Sequence, residues 1–138
     1  MPARSFLDSN VLVYTDDHGQ PQKQQAALAL VERCRLQGCG VVSTQVLQEY
    51  FASATRKLGV AATVARRKVE IFSHFHLVSI SLDEILGAID LHRLHQLSFW
   101  DALIVRCALQ AGCTLLYTED LQDGRHLDGL EIVNPFRS

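Results

Sequence analysis

Four acidic residues, each inside a largely apolar segment, are the part of this sequence best suited to chemistry. They are Asp8, Glu49, Asp101 and Asp120. Gathering carboxylates in one place is unfavourable, because like charges repel and raise one another's pKa unless a cation neutralises them. Clustered carboxylate oxygens are ligands that Mg²⁺ and Mn²⁺ prefer. The pattern therefore predicts a metal-dependent hydrolase that cleaves phosphodiester bonds.

Two of these acids also fit simpler structural roles at helix starts. Asp8 precedes a short helical pattern, and Asp is a common N-cap residue. Asp101 is three residues after Ser98, the position of a capping-box acid. The helix after Asp101 is apolar on nearly every side, which predicts a buried carboxylate, and burial is costly unless the charge is paired or metal-bound.

The other two acids are less distinctive. Glu49 lies opposite an apolar helical stripe, where a solvated glutamate would also lie. Asp120 is also compatible with a turn or a helix cap, and Glu119 and Asp123 are neighbours that could replace it. Thr118 could hydrogen-bond a carboxylate or a ligand water, and equally could be a cap.

Strand and helix patterns alternate along the chain with short connections. They predict an α/β fold with three layers and a mainly parallel central sheet of about five strands. Asp8 and Asp120 each follow a predicted strand, and sites in such sheets form beyond the carboxyl ends of the strands. The expected strands are centred on residues 6–7, 41–43, 76–80, 114–117 and 131–133.

Length and composition indicate one domain spanning residues 1–138. Hydrophobic residues make up 48% of the chain and charged residues 20%, which is enough apolar material for a core. No apolar run approaches the roughly 18 residues that a membrane span requires. The first residues lead directly into a strand pattern without a signal peptide, so a cytoplasmic protein without membrane contact is expected.

The cysteines and histidines are candidate ligands for zinc, which is the alternative to a Mg²⁺ or Mn²⁺ site. The four cysteines lack CxxC spacing and read as buried free thiols. His74 and His76 are two residues apart, and His92 and His95 three apart, but neither pair has an obvious third ligand.

The net charge of −2 does not indicate a nucleic-acid-binding protein, but its distribution is uneven. No acid lies between Glu49 and Glu70, whereas five basic residues do. These residues are candidate phosphate contacts or an ordinary solvated helix surface. They are Arg56, Lys57, Arg66, Arg67 and Lys68.

Taken together, the segments around the four acids resemble the PIN-domain ribonucleases, and most closely the VapC-type toxins of bacterial toxin–antitoxin pairs. The resemblance covers nearly the whole chain, and the set is fairly specific in its order and spacing. The segments that carry it are Phe6-Leu7-Asp8-Ser9-Asn10-Val11-Leu12, Ser43-Thr44-Gln45-Val46-Leu47-Gln48-Glu49-Tyr50-Phe51, Leu97-Ser98-Phe99-Trp100-Asp101-Ala102-Leu103-Ile104 and Leu116-Tyr117-Thr118-Glu119-Asp120-Leu121.

The resemblance implies a catalytic role for all four acids, with Mg²⁺ or Mn²⁺ held by Asp8, Asp101 and Asp120. Glu49 would complete the ligand shell or orient a water. The RNA substrate would be cleaved by metal-activated water, leaving a 5′-phosphate and a 3′-hydroxyl. The resemblance also implies a cognate antitoxin that blocks the site, and a homodimer. The family's polar positions beside the acids are matched by Asn10 and Thr118.

Other function classes fit less well. A non-catalytic protein-interaction module with the same fold is the main alternative, although the complete set of carboxylates argues against it. A receiver domain would need a lysine after the last strands, and none follows Lys68. A haloacid-dehalogenase phosphatase would need an aspartate where this chain has Asn10.

Overall fold

A six-stranded sheet forms the centre of the structure, a computed structural model that describes residues 2–137. The strand order is β3-β2-β1-β4-β6-β5. All neighbours pair in parallel except β5 and β6, which are antiparallel. The strands are β1 (Ser5–Leu7), β2 (Gly40–Ser43), β3 (His76–Val78), β4 (Leu115–Tyr117), β5 (His126–Leu127) and β6 (Leu130–Val133).

Six α-helices connect the strands within the described residues. Every residue of β1 and β2 is buried, which requires that helices cover both faces of the sheet. The three-layer α/β prediction is therefore confirmed. The helices are α1 (Ser9–Tyr14), α2 (Pro21–Gln37), α3 (Thr44–Leu58), α4 (Ala62–Phe72), α5 (Leu82–His95) and α6 (Phe99–Gln110).

The sequence-based prediction missed one strand, since the sheet has six strands rather than about five. The additional strand is the two-residue β5, joined to β6 by Asp128 and Gly129. Both residues have positive φ, 51° and 89°, as a type I′ hairpin turn requires. An Asp-Gly pair is a sequence signal for such a hairpin, but β5 is too short to show an alternating pattern.

Local sequence signals set the ends of the helices that lead to and from the site. Pro21 occupies the first turn of α2, and Gly38 ends it with a φ of 66°. The Ser43 hydroxyl accepts a hydrogen bond from the Val46 amide and caps α3. None of the helices within residues 2–137 has the length and apolar character to cross a membrane.

The sheet order fixes the place of the site. From β1 the chain passes to β2 on one side, and it returns later to β4 on the other side of β1. Strand order therefore reverses at β1, and clefts form beyond the carboxyl ends of strands at such a point. Asp8 follows β1 and Thr118 follows β4.

Candidate active site

Asp8 and Thr118 lie side by side at the carboxyl edge of the sheet. Leu7 pairs with Tyr117 in the parallel register, and the Asp8 amide donates to the Tyr117 carbonyl at 3.1 Å. The residues that follow the two strands are therefore neighbours at this edge of the sheet. The Thr118 hydroxyl donates to Asp8 Oδ2 at 2.8 Å, and the Ser9 amide donates to Asp8 Oδ1 at 2.7 Å. Asp8 is thus the N-cap of α1 through one carboxylate oxygen and the partner of Thr118 through the other.

Thr118 connects this pair to the other polar residues. Its Oγ1 accepts from Asn10 Nδ2 at 3.2 Å and from the Asp120 amide at 3.1 Å. A hydroxyl has one proton to donate and two lone pairs, so all of its hydrogen-bonding capacity is used. Thr118 is fully buried, and it fixes Asp8, Asn10 and the start of the Asp120 loop relative to one another.

Burial has the largest effect on the pKa of Asp8, a residue that is only 5% exposed. Desolvation raises the pKa of Asp8 from its ordinary value of 3.8 to about 7. The hydrogen bonds from Thr118 and Ser9 lower this pKa, and the charges of Asp120 and Glu49 raise it. A cation in the cleft would reverse this balance, because it would stabilise the ionised form.

Asp120 lies at the solvent-exposed rim of the same cleft. Its Oδ2 accepts from Asn10 Nδ2 at 3.1 Å, so the Asn10 amide spans Thr118 and Asp120. Partial burial raises the pKa of Asp120, and the charges of Asp101 and Glu119 raise it further. The Asn10 hydrogen bond and the charge of Lys57 lower this pKa.

Asp101 and Glu49 approach the cleft from two helices that contact each other. The Ser98 hydroxyl accepts from the Asp101 amide at 3.1 Å, which confirms that Ser98 caps α6. Gln45 Nε2 donates to Glu49 Oε2 at 3.3 Å and to the Trp100 carbonyl at 3.4 Å. This amide therefore links the Glu49 turn of α3 to the first turn of α6.

The structure corrects the expectation that Asp101 is fully buried. Asp101 is half-buried because the first turn of α6 lies at the surface, where Trp100 is 63% exposed. The remainder of α6 is the apolar core segment that the sequence predicts.

All four predicted acids contribute to one electrostatic environment. Asp120 and Glu49 act on Asp8, and Asp101 acts on Asp120. Within residues 2–137, no three His, Cys, Asp or Glu side chains converge closely enough to make a complete metal cage. Mg²⁺ commonly uses only one or two carboxylates and keeps several waters, so this donor set fits a hydrated ion at Asp8 and Asp120, with Asp101 nearby.

The two acids considered as replacements for Asp120 have other partners. Glu119 accepts from the Tyr14 hydroxyl at 2.7 Å and forms an ion pair with Lys23 at 3.1 Å. Asp123 Oδ1 accepts from the Asn134 amide at 2.7 Å, so it anchors the segment after β6. Neither arrangement is predicted from local sequence patterns, since Tyr14 and Lys23 are 105 and 96 positions from Glu119 and Asn134 is 11 positions from Asp123.

The five basic residues lie in different environments. Lys57 lines a cleft together with Asn10 and Asp120. Lys68 is half-buried in an ion pair with Asp16 at 2.6 Å. Of the remaining three, Arg66 and Arg67 form exposed ion pairs with Glu70, and Arg56 is exposed.

The cysteines have the environment of structural thiols. All four are free and buried. Burial raises the pKa of Cys34, Cys107 and Cys113 to about 12, and a protonated thiol is a poor zinc ligand.

A family model for the PIN domain matches residues 5–126 of the chain. The chain belongs to the PIN domain family. The matched range contains all four candidate acids together with Asn10 and Thr118. No protein with a curated description matches the sequence.

Solved structures of other PIN proteins share the fold of this PIN domain at low sequence identity. A toxin–antitoxin complex from Klebsiella pneumoniae matches with a TM-score of 0.66 at 21% identity, covering 95% of this chain and 97% of that one. VapC20 of Mycobacterium tuberculosis, described as a sarcin–ricin loop cleaving toxin, matches with a TM-score of 0.66 at 19% identity, covering 84% and 91%. VapBC2 of Rickettsia felis, bound to a promoter DNA fragment, matches with a TM-score of 0.66 at 17% identity, covering 93% and 96%.

Proposed function

We propose that this PIN domain is a metal-dependent endoribonuclease and the toxin of a toxin–antitoxin pair. The observation that carries the proposal is the arrangement of Asp8, Thr118, Asn10 and Asp120. A buried carboxylate with a raised pKa lies beside a second carboxylate, and a saturated hydroxyl fixes both positions. Strongly perturbed carboxylates in a cleft are typical of catalytic sites.

Mg²⁺ or Mn²⁺ would be held by Asp8, Asp120 and Asp101, directly or through waters. When bound, the ion supplies a water of lowered pKa and stabilises negative charge on the scissile phosphate. Asp8 is held rigidly by its two hydrogen bonds, so its ligand direction is set before a metal arrives. Asp120 is held by the Asn10 amide at its carboxylate and by Thr118 at its backbone amide, and it is exposed.

Glu49 is the residue we assign to water orientation. Glu49 is half-buried, and Gln45 Nε2 donates a hydrogen bond to its Oε2 at 3.3 Å. The free lone pairs of such a carboxylate can accept a proton from a water that is approaching the phosphate. The expected products carry a 5′-phosphate and a 3′-hydroxyl.

The first experiment is cleavage of a mixed cellular RNA pool with Mg²⁺ or Mn²⁺, with and without EDTA. Asp8→Asn and Asp120→Asn should abolish cleavage. Asp90→Asn, the same substitution on the exposed surface of α5, should leave it unchanged. Cleavage that leaves 2′,3′-cyclic phosphates would instead indicate acid–base chemistry by a residue such as His74 or His95, and would contradict the proposed mechanism.

An apolar groove between α3 and α4 supports the antitoxin part of the proposal. It has a volume of about 630 Å³ and is lined by Leu47, Phe51, Ala62, Arg66 and Val69, among others. Tyr50, which precedes Phe51 in α3, is fully buried and belongs to the core rather than to the groove. Amphipathic helices bind in grooves of this kind.

The groove assignment is tested by co-expression with each small protein that an adjacent gene encodes. The wild-type chain should co-purify with one of them and lose RNA cleavage, whereas Phe51→Glu should retain cleavage without co-purifying. Neighbours that neither bind nor inhibit the wild-type chain would contradict the toxin–antitoxin assignment and leave the nuclease.

A homodimer is also proposed, with the exposed apolar side chains of α5 and α6 as the contact surface. Leu82, Leu86 and Trp100 are 66%, 50% and 63% exposed. Exposed apolar patches commonly mark protein interfaces. Light scattering of the wild type and of Leu86→Glu tests this directly, and a monomeric wild type would contradict it.

The competing proposal is a non-catalytic interaction module. The groove between α3 and α4 favours it as much as it favours a toxin. A folded, partner-free protein that binds Mn²⁺ but cleaves no RNA in the pool would favour this module.

A further inference from the structure

A second cleft adjoins the candidate metal site on the side of α1 and α3. It has a volume of about 300 Å³. Its lining includes Ser9, Asn10, Tyr14, Ser53, Lys57 and Asp120. Two of these residues, Asn10 and Asp120, also belong to the network around Asp8. The cleft is therefore continuous with the place where the scissile phosphate would lie.

The acids along this cleft already have hydrogen-bond donors. Asp17 Oδ1 accepts from the Gly19 amide at 3.0 Å. Both oxygens of Glu119 are occupied, one by the Tyr14 hydroxyl and the other by the Lys23 ammonium. Asp120 accepts from Asn10. The Lys23 ammonium also neutralises the charge of Glu119. The surface of the cleft is therefore less negative than its three acids, Asp17, Glu119 and Asp120, would make it.

Two donors along the same cleft are already used, since Asn10 donates to Thr118 and Asp120 and Tyr14 donates to Glu119, but three others are free. Among residues 2–137, the Lys57 ammonium and the hydroxyls of Ser9 and Ser53 have no hydrogen-bond partner. Lys57 is exposed near the carboxyl end of α3. One cation and two hydroxyls that face a cleft beside a metal site are a donor set suited to a phosphate group.

Lys57 differs from the other basic residues in its position relative to the carboxylates. It lines the same cleft as Asp120 and Asn10. Lys68, Arg66 and Arg67 are instead paired with acids on or near α4. Because the four site carboxylates repel RNA, a free cation beside them has a larger effect on the path of the strand than one elsewhere.

We propose that this cleft binds the RNA phosphate next to the scissile one, with Lys57 as the charged contact and Ser53 and Ser9 as hydroxyl contacts. The inference rests on the proposed ribonuclease function and assigns a substrate subsite within it. Lys57 sets the direction in which the strand leaves the metal site. The contact is to the backbone, so it adds affinity without selecting a base.

The test measures binding of a fluorescent, mixed-sequence single-stranded RNA decamer in buffer with Ca²⁺, over a range of salt concentrations. Lys57→Gln is compared with Lys57→Arg and with Arg56→Gln. Arg56 is the matched control because it is the preceding residue of α3, is exposed, and does not line the cleft. The decamer carries no cleavage readout, so binding is scored independently of activity.

We expect Lys57→Gln to weaken binding by roughly threefold to tenfold. We also expect the slope of log binding constant against log salt concentration to become less steep by about 0.7, the value for one phosphate contact on a single strand. Lys57→Arg should retain most of the affinity. Arg56→Gln should have less than half of the effect of Lys57→Gln.

A second measurement locates the contacted phosphate. It uses a decamer of one sequence that contains a cleavage site mapped in the RNA pool. A single uncharged methylphosphonate linkage is moved along this decamer, and the loss of affinity is measured for the wild type and for Lys57→Gln. One linkage next to the scissile position should weaken binding to the wild type and have little effect on Lys57→Gln, because the contact is already missing.

The possible results distinguish failure of the phosphate subsite from failure of the proposed ribonuclease function. Equal effects of Lys57→Gln and Arg56→Gln would overturn the subsite, even if the wild type cleaves RNA with Mn²⁺. Absence of RNA binding by the wild type would overturn it as well. Loss of metal-dependent cleavage in Asp8→Asn is scored separately and decides the proposed function.

Discussion

The Thr118 hydroxyl donates a 2.8 Å hydrogen bond to Asp8 Oδ2, although the two residues are 110 positions apart. The parallel pairing of β1 and β4 brings them together. The same oxygen accepts from Asn10 and from the Asp120 amide, so one buried atom organises three neighbours.

Thr118→Val tests this organisation, because valine has nearly the same shape and lacks the hydroxyl. We expect the free energy of unfolding to fall by about 2–3 kcal/mol, since a buried carboxylate and a backbone amide each lose a partner. Urea denaturation measures the change. Thr118→Ser keeps the hydroxyl and should lose less than half as much. An unchanged stability for Thr118→Val would show that the hydrogen bonds have no net effect.

The raised pKa of Asp8 predicts a pH-dependent stability in metal-free buffer. Between pH 4 and 7, Asp8 is ionised in the unfolded chain but still protonated in the folded protein. The folded state therefore binds more protons, and stability falls as pH rises through this window. The loss is complete above pH 7 and is at most about 4 kcal/mol, because one pKa unit corresponds to about 1.4 kcal/mol.

Asp8→Asn isolates this contribution, since the asparagine side chain does not titrate. We measure the free energy of unfolding of both proteins by urea denaturation in EDTA from pH 4 to 8. As the pH rises, the wild type should become progressively less stable relative to the variant. Adding Mn²⁺ at pH 7.5 should stabilise the wild type more than the variant. Parallel pH profiles for the two proteins would refute the raised pKa.

The order of strands and helices was predictable because it depends on local patterns. Apolar runs, Pro21 and the glycines after helices mark nearly every element. The strand β5 was missed because two residues show no periodicity, although Asp128-Gly129 marks its turn. The burial of Asp101 was overestimated because composition around a helix does not show which turn lies at the surface.

The set of candidate acids was also accessible from sequence, but the contacts that hold them were not. Thr118 is separated from Asn10 by 108 positions, and Lys68 from Asp16 by 52. Only the fold brings such residues together. The sequence grouped Lys57 and Lys68 as candidate RNA contacts, whereas the structure places one beside Asp120 and the other in an ion pair.

Gly129→Ala tests the turn between β5 and β6. The φ of Gly129 is 89°, a conformation that residues with a Cβ atom rarely adopt. We expect a loss of about 1 kcal/mol or more in the free energy of unfolding. Gly19→Ala is the control, since Gly19 does not have a positive φ and lies in an exposed loop. Thermal denaturation of both variants provides the comparison, and equal melting temperatures would contradict the strain.

Lys68→Met tests whether this lysine is structural. Its ammonium contacts Asp16 at 2.6 Å and the Thr15 hydroxyl at 2.8 Å, and Tyr50 donates to the same carboxylate at 2.6 Å. This half-buried cluster joins α1, α3 and α4, and α3 carries Glu49. Removing the cation leaves the Asp16 carboxylate with Tyr50 as its side-chain donor, so we expect a loss of about 1–3 kcal/mol in unfolding free energy.

The matched control is Arg67→Met, because Arg67 pairs with Glu70 on the exposed surface of the same helix. An exposed pair contributes little, so its loss should change stability by less than about 0.5 kcal/mol. The salt slope of RNA binding should be the same for Lys68→Met and wild type, since the ammonium is already occupied. A reduced slope with unchanged stability would make Lys68 an RNA contact rather than a structural cation.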